Sequence, residues 1–390
     1  MLNNVFTKKA MVIFFALITS FCVTASDTGE NIVDDHQANG TDTLDDKATI
    51  MAAINAACAP GGSHVVIIPK GTFYLDSTID LKDHKYDGLT VKGIGIESII
   101  IHRGGDYAFK LGDGTSNGAV NHMTFKDFKI KCDPANTNAS AGIYVYRSQR
   151  NLFCNLHIRD YTSQNSGLSQ EGGAAMKFKF SWIHTVRECT FVHLNNAIYL
   201  YSGGNTANAL NIVDCIIENI QKYGIYLRDA AGVNISGCCI EGGNMEYGIY
   251  AHSGKGYKIS GCYFEWISKA CIYLYSSAYL GGVSITGNYM NLDISECAIN
   301  IYGVQGAKIS GNSFRGAPSE AIVKTRCLGY VRQVWLTGNQ HNVDDGTPLW
   351  NGYDYLKKYN STHKIESGMW EDVQNNKLIY GSSYTLFQDQ

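Results

Sequence analysis

Over residues 76–343 apolar and polar positions alternate in short stretches separated by Gly, Asn and Ser. A period of two is the mark of β-strands, which turn successive side chains to opposite faces. The stretches also recur. One block reads Ala197-Ile198-Tyr199-Leu200, Gly224-Ile225-Tyr226-Leu227, Gly248-Ile249-Tyr250-Ala251, Cys271-Ile272-Tyr273-Leu274, Ala298-Ile299-Asn300-Ile301 and Ala321-Ile322-Val323-Lys324. Its Ile positions step by 27, 24, 23, 27 and 23 residues. A second block, out of phase with the first, reads Ile235-Ser236-Gly237-Cys238, Ile259-Ser260-Gly261-Cys262, Ile285-Thr286-Gly287-Asn288 and Ile309-Ser310-Gly311-Asn312.

About three strands fit in each repeat, and no stretch between them is long enough for a crossover helix. Successive repeats must then stack coil on coil. The pattern predicts an all-β fold: a single-stranded right-handed parallel β-helix, a solenoid of residues 76–343. Propeller blades need longer repeats, and sandwiches show no such period. Equivalent positions stack about 4.8 Å apart. Cys154, Cys189, Cys215, Cys238, Cys262, Asn288, Asn312 and Asn339 are expected in one inward column. Its thiols pack as small hydrophobes and its amides form a ladder. Residues 26–75 form an N-terminal cap and first coil, with an Ala-rich capping helix near residues 48–57 led by Asp45 and Asp46. Residues 344–390, with Trp350, Tyr353, Tyr355, Tyr359 and Trp370, read as a C-terminal cap that covers the last open edge.

In the Gly-Ile-Tyr-Leu strand the Ile and Leu face in. One outward column is then Tyr144, Lys177, Tyr199, Tyr226, Tyr250, Tyr273, Asn300. The next is Tyr146, Lys179, Tyr201, Arg228, His252, Tyr275, Tyr302. Aromatic faces suit sugar rings, so Tyr199, Tyr201, Tyr226, Tyr250, Tyr273, Tyr275, Lys177 and Lys179 are the expected substrate-binding residues. Three residues after the Cys/Asn column, Glu218, Glu241 and Glu265 point outward one coil apart. Stacked carboxylates repel unless they bind a cation or move protons. A one-coil gap is near the roughly 5 Å of retaining glycosidases, and two coils are near the upper end of the ~6.5–9.5 Å inverting range. Glu241 in the middle is the natural acid. Arg228 and His252 offer a second chemistry, proton abstraction from a uronic acid by a lyase or C5-epimerase, with Ca²⁺ on the carboxylates. The insertion at 160–173 is expected to wall one end of the cleft, near His157.

The run from Asn39 to Leu75 carries Gly40, Asp42, Asp45 and Asp46, the Ala-rich helix, and Gly61-Gly62 leading to Ile68-Pro69-Lys70-Gly71-Thr72-Phe73. It resembles the opening segment of the pectate-lyase-like superfamily, which includes rhamnogalacturonases, polysaccharide epimerases and phage tailspike hydrolases. The resemblance implies a β-helix that acts on polysaccharides. The Asn-Thr-Asp, Asp-Asp, Gly-His-Gly and Arg-Ile-Lys cluster of polygalacturonases is not visible.

Composition narrows the partners. Residues 1–25 read as a signal peptide, with Lys8 and Lys9 before the apolar run 11–23 and a small-residue cleavage site. The run is short for a membrane span, so the mature chain is expected to be secreted, extracellular or periplasmic. Lys+Arg 32 against Asp+Glu 35 gives a net charge of −3, which argues against nucleic acid as partner. Of 12 Cys, one leaves with the signal, and the odd remainder leaves at least one free thiol in a monomer. No zinc-type Cys spacing appears, and no cofactor is expected unless Ca²⁺ serves a lyase. The expected function is glycosidic cleavage of an acidic polysaccharide, by hydrolysis ahead of lysis or epimerisation. The rival is a non-enzymatic carbohydrate-binding surface protein. A monomer and a homotrimer both fit the solenoid.

Overall fold

The computed structural model describes residues 29–162, 172–202, 207–316, 318–319, 321–326 and 332–342, with three further strands, Leu356–Tyr359, Met369–Asp372 and Lys377–Tyr380. The signal segment and residues 163–171 of the insertion lie outside them, as do Trp350, Tyr353 and Tyr355. The chain winds as a right-handed parallel β-helix of about 9 turns. The first coil consists of Val65–Ile67, Gly71–Leu75 and Ile79–Leu81. Each pairs in parallel with the equivalent strand of the next coil, Val65 with Thr90, Thr72 with Ile99 and Ile79 with Phe109. Three parallel sheets result, here termed first, second and third in chain order within a coil.

The repeated sequence blocks are the corners and walls of this coil. Between the first and second sheets one residue per coil is left-handed. It is Asp127, Asn155, Glu188 and Asp214 in early coils, then Gly237, Gly261, Gly287 and Gly311. The Gly of Ile-Ser-Gly-Cys is there because a residue without Cβ adopts φ near +64° at no steric cost. Its Cys or Asn then points inward. The thiols of Cys189, Cys215, Cys238 and Cys262 lie 3.2–3.5 Å from the carbonyls of Arg187, Val213, Ser236 and Ser260 in their own coils and 3.7–3.9 Å from those of Phe153, Val186, Ile212 and Ile235 in the preceding ones. Asn288, Asn312 and Asn339 donate Nδ2 to the equivalent carbonyls of Ile259, Ile285 and Ile309 at 3.0–3.1 Å. The amides also link coil to coil, Asn288 Nδ2 to Asn312 Oδ1 and Asn312 Nδ2 to Asn339 Oδ1, both at 2.9 Å. Every described cysteine is a free thiol, so this column is not a row of disulfides.

Two expectations need correcting. Cys154 is not in the column: it is in register with Arg187 and Lys126, two residues earlier in its coil. The register of the last described coil aligns Val323, not Ile322, with Ile299, which places Lys324 beneath Asn300. The acids stand before the helix as expected: α1 spans Lys47–Ala57, and Asp45 Oδ1 accepts from the Lys47 N–H at 3.3 Å. The Asp46 carboxylate accepts from the backbone N–H of Tyr74 at 2.9 Å and of Asn39 at 3.3 Å. It ties the cap to the first coil. Ile50, Ala53, Ile54 and Ala57 of α1 are buried against the open end, where bare strand edges would invite pairing with other chains.

At the far end Leu356–Tyr359 continues the third sheet in parallel with residues 323–326, and Met369–Asp372 pairs antiparallel with Lys377–Tyr380. Among the described residues no helix is long and apolar enough to cross a membrane.

Candidate functional site

The outward columns form as the alternation requires. On the second sheet Val192, Glu218, Glu241 and Glu265 are in register, one coil apart. Interior neighbours Phe191, Ile217, Ile240 and Phe264 are fully buried, so the glutamates are driven outward. All three are half-buried. Glu265 accepts two neutral hydrogen bonds, from Tyr263 Oη and from Asn291 Nδ2, each at 2.8 Å. Neutral donors satisfy a carboxylate without cancelling its charge. The Tyr263 phenol is raised, by burial first and then by its bond to Glu265. The Cys239 thiol is pushed up to about 12 by burial and by Glu241, with Glu218 and Glu265 adding to it. Among the described residues no Lys or Arg pairs with these glutamates, and no three His, Cys, Asp or Glu converge as a metal site. Upstream on the same face Lys129 and Lys131 align with His157 and Arg159; Lys131 and Arg159 pair with the Asp160 carboxylate, and burial first, then Lys129 and Arg159, lower the His157 pKa.

The third sheet carries the tyrosines. Tyr199, Tyr226, Tyr250 and Tyr273 stack ring on ring at 4.5, 5.4 and 4.9 Å. Tyr223 and Tyr247 add a parallel stack. This corrects the expectation that the ring faces stand open for sugars. They are used on one another, and Tyr199 and Tyr226 are only 4% and 6% exposed. Burial drives the Tyr223 phenol up to about 12. In the adjoining column Arg228 Cζ lies 4.9 Å over the Tyr201 ring, and His252 stacks on Tyr275 at 4.8 Å. Arg228 and His252 are cross-strand neighbours. Burial first, and Arg228 second, lower the His252 pKa. Arg228 Nε is buried with no hydrogen bond; the Asp229 carboxylate lies 3.8 Å away. Lys177 is buried and donates Nζ to Ser140 Oγ at 2.6 Å, while Lys179 covers the Tyr146 ring.

Sequence reasoning missed the corner between these two sheets. Directly after the glutamate column one residue per coil is left-handed: Asp160, His193, Asn219, Gly242 and Trp266. Gly and Asn take that conformation readily, but any other L-residue there costs roughly 1–2 kcal/mol. Trp266 does so at φ 58° while remaining 55% exposed. Further upstream on the same corner a pocket of about 220 Å³ is lined by residues that include Asp133, Asn136, Asp160 and His193. Asp160 pairs there with Arg159 Nε at 3.0 Å and Lys131 Nζ at 3.9 Å, and His193 Nδ1 lies 3.4 Å from its other oxygen. Beneath it His102 Nδ1 lies 3.1 Å from Tyr161 Oη. Burial holds this pair neutral, with His102 down to about 4 and Tyr161 well above its usual range. The pocket residues come from three coils, so no linear motif announces them. Trp266 was detectable, as the residue after the glutamate column.

A family model described as a right-handed beta helix region matches residues 87–257. No curated protein matches the sequence significantly. Among solved structures, PfbA, a surface adhesin of Streptococcus pneumoniae, is 14% identical, covers 90% of this chain and 99% of its own, and superposes with a TM-score of 0.61. The A-module of the Azotobacter vinelandii mannuronan C-5 epimerase AlgE4 is 15% identical over 86% of this chain and 99% of its own, at 0.57. The catalytic unit of a GH87 alpha-1,3-glucanase from Streptomyces thermodiastaticus is 13% identical over 87% and 68%, also at 0.57. At such identities the likeness is one of fold. The fold is that of a right-handed parallel β-helix. Its structural neighbours include a glycoside hydrolase, an epimerase and an adhesin, so the chemistry must be read from this chain's own side chains.

Proposed function

We propose that the chain is a secreted enzyme that hydrolyses glycosidic bonds of an acidic polysaccharide at the glutamate ladder. The observation that carries this reading is the register of Glu218, Glu241 and Glu265 on one outward column. Strand spacing of about 4.8 Å puts neighbouring carboxyls near the roughly 5 Å at which one acts as nucleophile and the other as acid. Glu265, fixed by Tyr263 and Asn291, takes the role of nucleophile. Glu241, with a carboxylate one coil away on either side, takes the role of the acid at the leaving oxygen. Lys129, Lys131 and Arg159 on the same sheet supply the attraction for acidic sugar units.

A second reading rests on one pair. His252, kept neutral, sits beside Arg228. A neutral imidazole can take the C5 proton of a uronate while a guanidinium neutralises the sugar carboxylate, which is lyase or epimerase chemistry. One experiment separates the two. The full chain is incubated with acidic and neutral polysaccharides while new reducing ends and the ultraviolet absorbance of a conjugated double bond are followed together. Reducing ends alone are the expected result. Absorbance rising in step with them would overturn hydrolysis in favour of the Arg228–His252 pair, and chelator sensitivity would then reveal a Ca²⁺-assisted lyase. Retention on a polysaccharide with both channels silent would make it a binding protein.

A further inference from the structure

Trp266 stands at a left-handed corner that the earlier coils fill with the smaller or more polar Asp160, His193, Asn219 and Gly242. The equivalent residues of the two preceding coils are Asn219 and Gly242, both compatible with a left-handed backbone. A bulky aromatic residue held at positive φ is a genuine outlier, of the kind that gathers at ligand-binding positions. Its surroundings leave the indole uncovered. Gly242 and Gly243, at φ 87° and 80°, lie low against Asn219, so close that a Cβ on Gly243 would come within 3.0 Å of Asn219 Cα. The corner beside Trp266 therefore presents glycines, not side chains. The next coil, whose Ser295 Oγ bonds the carbonyl of Ile267 at 2.6 Å, carries Ile294, itself 43% exposed. Among the described residues no aromatic ring or cation covers the indole, in contrast to the tyrosines, whose faces are used on each other. The residue before Trp266 is Glu265, the downstream end of the glutamate ladder.

We infer that Trp266 is a stacking platform for one uncharged sugar ring, seated over the Gly242–Gly243 corner with its glycosidic bond directed to Glu241 and Glu265. An apolar indole face matches the C–H face of a pyranose. Three carboxylates one coil apart exclude an anionic ring from the same place. The acidic units of the substrate then lie upstream, toward Lys131 and Arg159. This deepens the glycosidase reading and rests on it.

The test is affinity electrophoresis of the full chain in gels containing hydroxyethylcellulose, galactomannan, xylan or dextran as neutral probes and polygalacturonate or alginate as acidic ones. Wild type, Trp266→Gly and Trp266→Phe are run alongside thermal melts. The expected result is that Trp266→Gly melts at the same or a higher temperature, since it relieves the left-handed strain, yet loses at least tenfold in affinity for a neutral polymer. Trp266→Phe, which keeps a ring face, recovers part of that loss. Undiminished retention of Trp266→Gly on a neutral polymer that wild type binds would overturn the platform and leave the glycosidase reading intact. So would retention of wild type by acidic polymers alone. Failure of wild type to bind or cleave any of the six would overturn both.

Discussion

Two ladders run side by side along this solenoid, built by the same register and opposite in consequence. On the third sheet Tyr199, Tyr226, Tyr250 and Tyr273 stack into a column whose members satisfy one another. On the second sheet Glu218, Glu241 and Glu265 stack with equal regularity and cannot do so. A solenoid turns every outward position into a row of near-identical neighbours. Rows of rings stabilise themselves, whereas rows of like charge are unfavourable until a proton or a ligand enters. Self-attracting columns are thus candidates for structure and self-repelling ones for function. Lys177 shows the same division, since it is buried onto Ser140 inside the tyrosine face and not presented to solvent.

The sharpest way to break the comparison is to neutralise one ladder and truncate the other. Glu241→Gln is expected to lower turnover by about 10²–10⁴-fold, the usual range for a general acid. Its melting temperature should be unchanged or slightly raised, because one repelling charge is gone. A steady-state assay for reducing ends, paired with a melt, checks both halves. Tyr226→Ala should do the reverse, costing about 3–5 kcal/mol of stability as a buried ring is removed. Denaturant titration measures the loss. A cost below about 1 kcal/mol would mean that the tyrosine stack is not structural.

Acid should separate the two regions again. Burial holds His102 down to about 4 and His184 to about 3, so both are neutral in the fold. In the unfolded chain they protonate near the ordinary value of about 6.5. Their contribution is therefore complete above about pH 6.5 and drains away as pH falls toward 4 and then 3. For His102 alone this amounts to about 3 kcal/mol. A melting temperature flat from pH 7 to pH 4 would contradict neutral histidines beneath the pocket. The smallest effect is a chemical one. The Cys239 thiol is pushed up to about 12 by burial and by the glutamates around it, so alkylation at pH 8.5 should be slow. Glu241→Gln removes the nearest of those charges, and alkylation of Cys239 followed by mass spectrometry should quicken several-fold. An unchanged rate would show that burial alone protects the thiol.

Much of this was legible from period alone. The coil, the inward Cys/Asn column and both outward ladders follow from alternation and repeat spacing, because the stack adds no freedom between one coil and the next. The failures occur where the repeat length changes. Cys154 was misplaced by two residues in the coil before the 160–173 insertion, and Ile322 by one where the last step is a residue longer than counted. A second kind of failure concerns what a side chain meets. Alternation says that Tyr226 faces out, but not that Tyr199 and Tyr250 close both of its faces. The pocket beside Asp133 and His193 depends on positions about sixty residues apart in the chain, brought together only by winding.

The inward column has one more consequence. Cys238 and Asn288 lie within reach of equivalent carbonyls of their preceding coils, Ile212 and Ile259, and the junction between the two kinds is closed, since the Cys262 N–H donates to Asn288 Oδ1 at 2.9 Å. An Asn coil can therefore follow a Cys coil, and each coil depends only on its neighbours. Duplicating or deleting a coil would leave no polar group stranded inside. The number of rungs, and with it the length of every outward column, is a quantity that evolution can adjust by unequal crossing-over without redesigning the core.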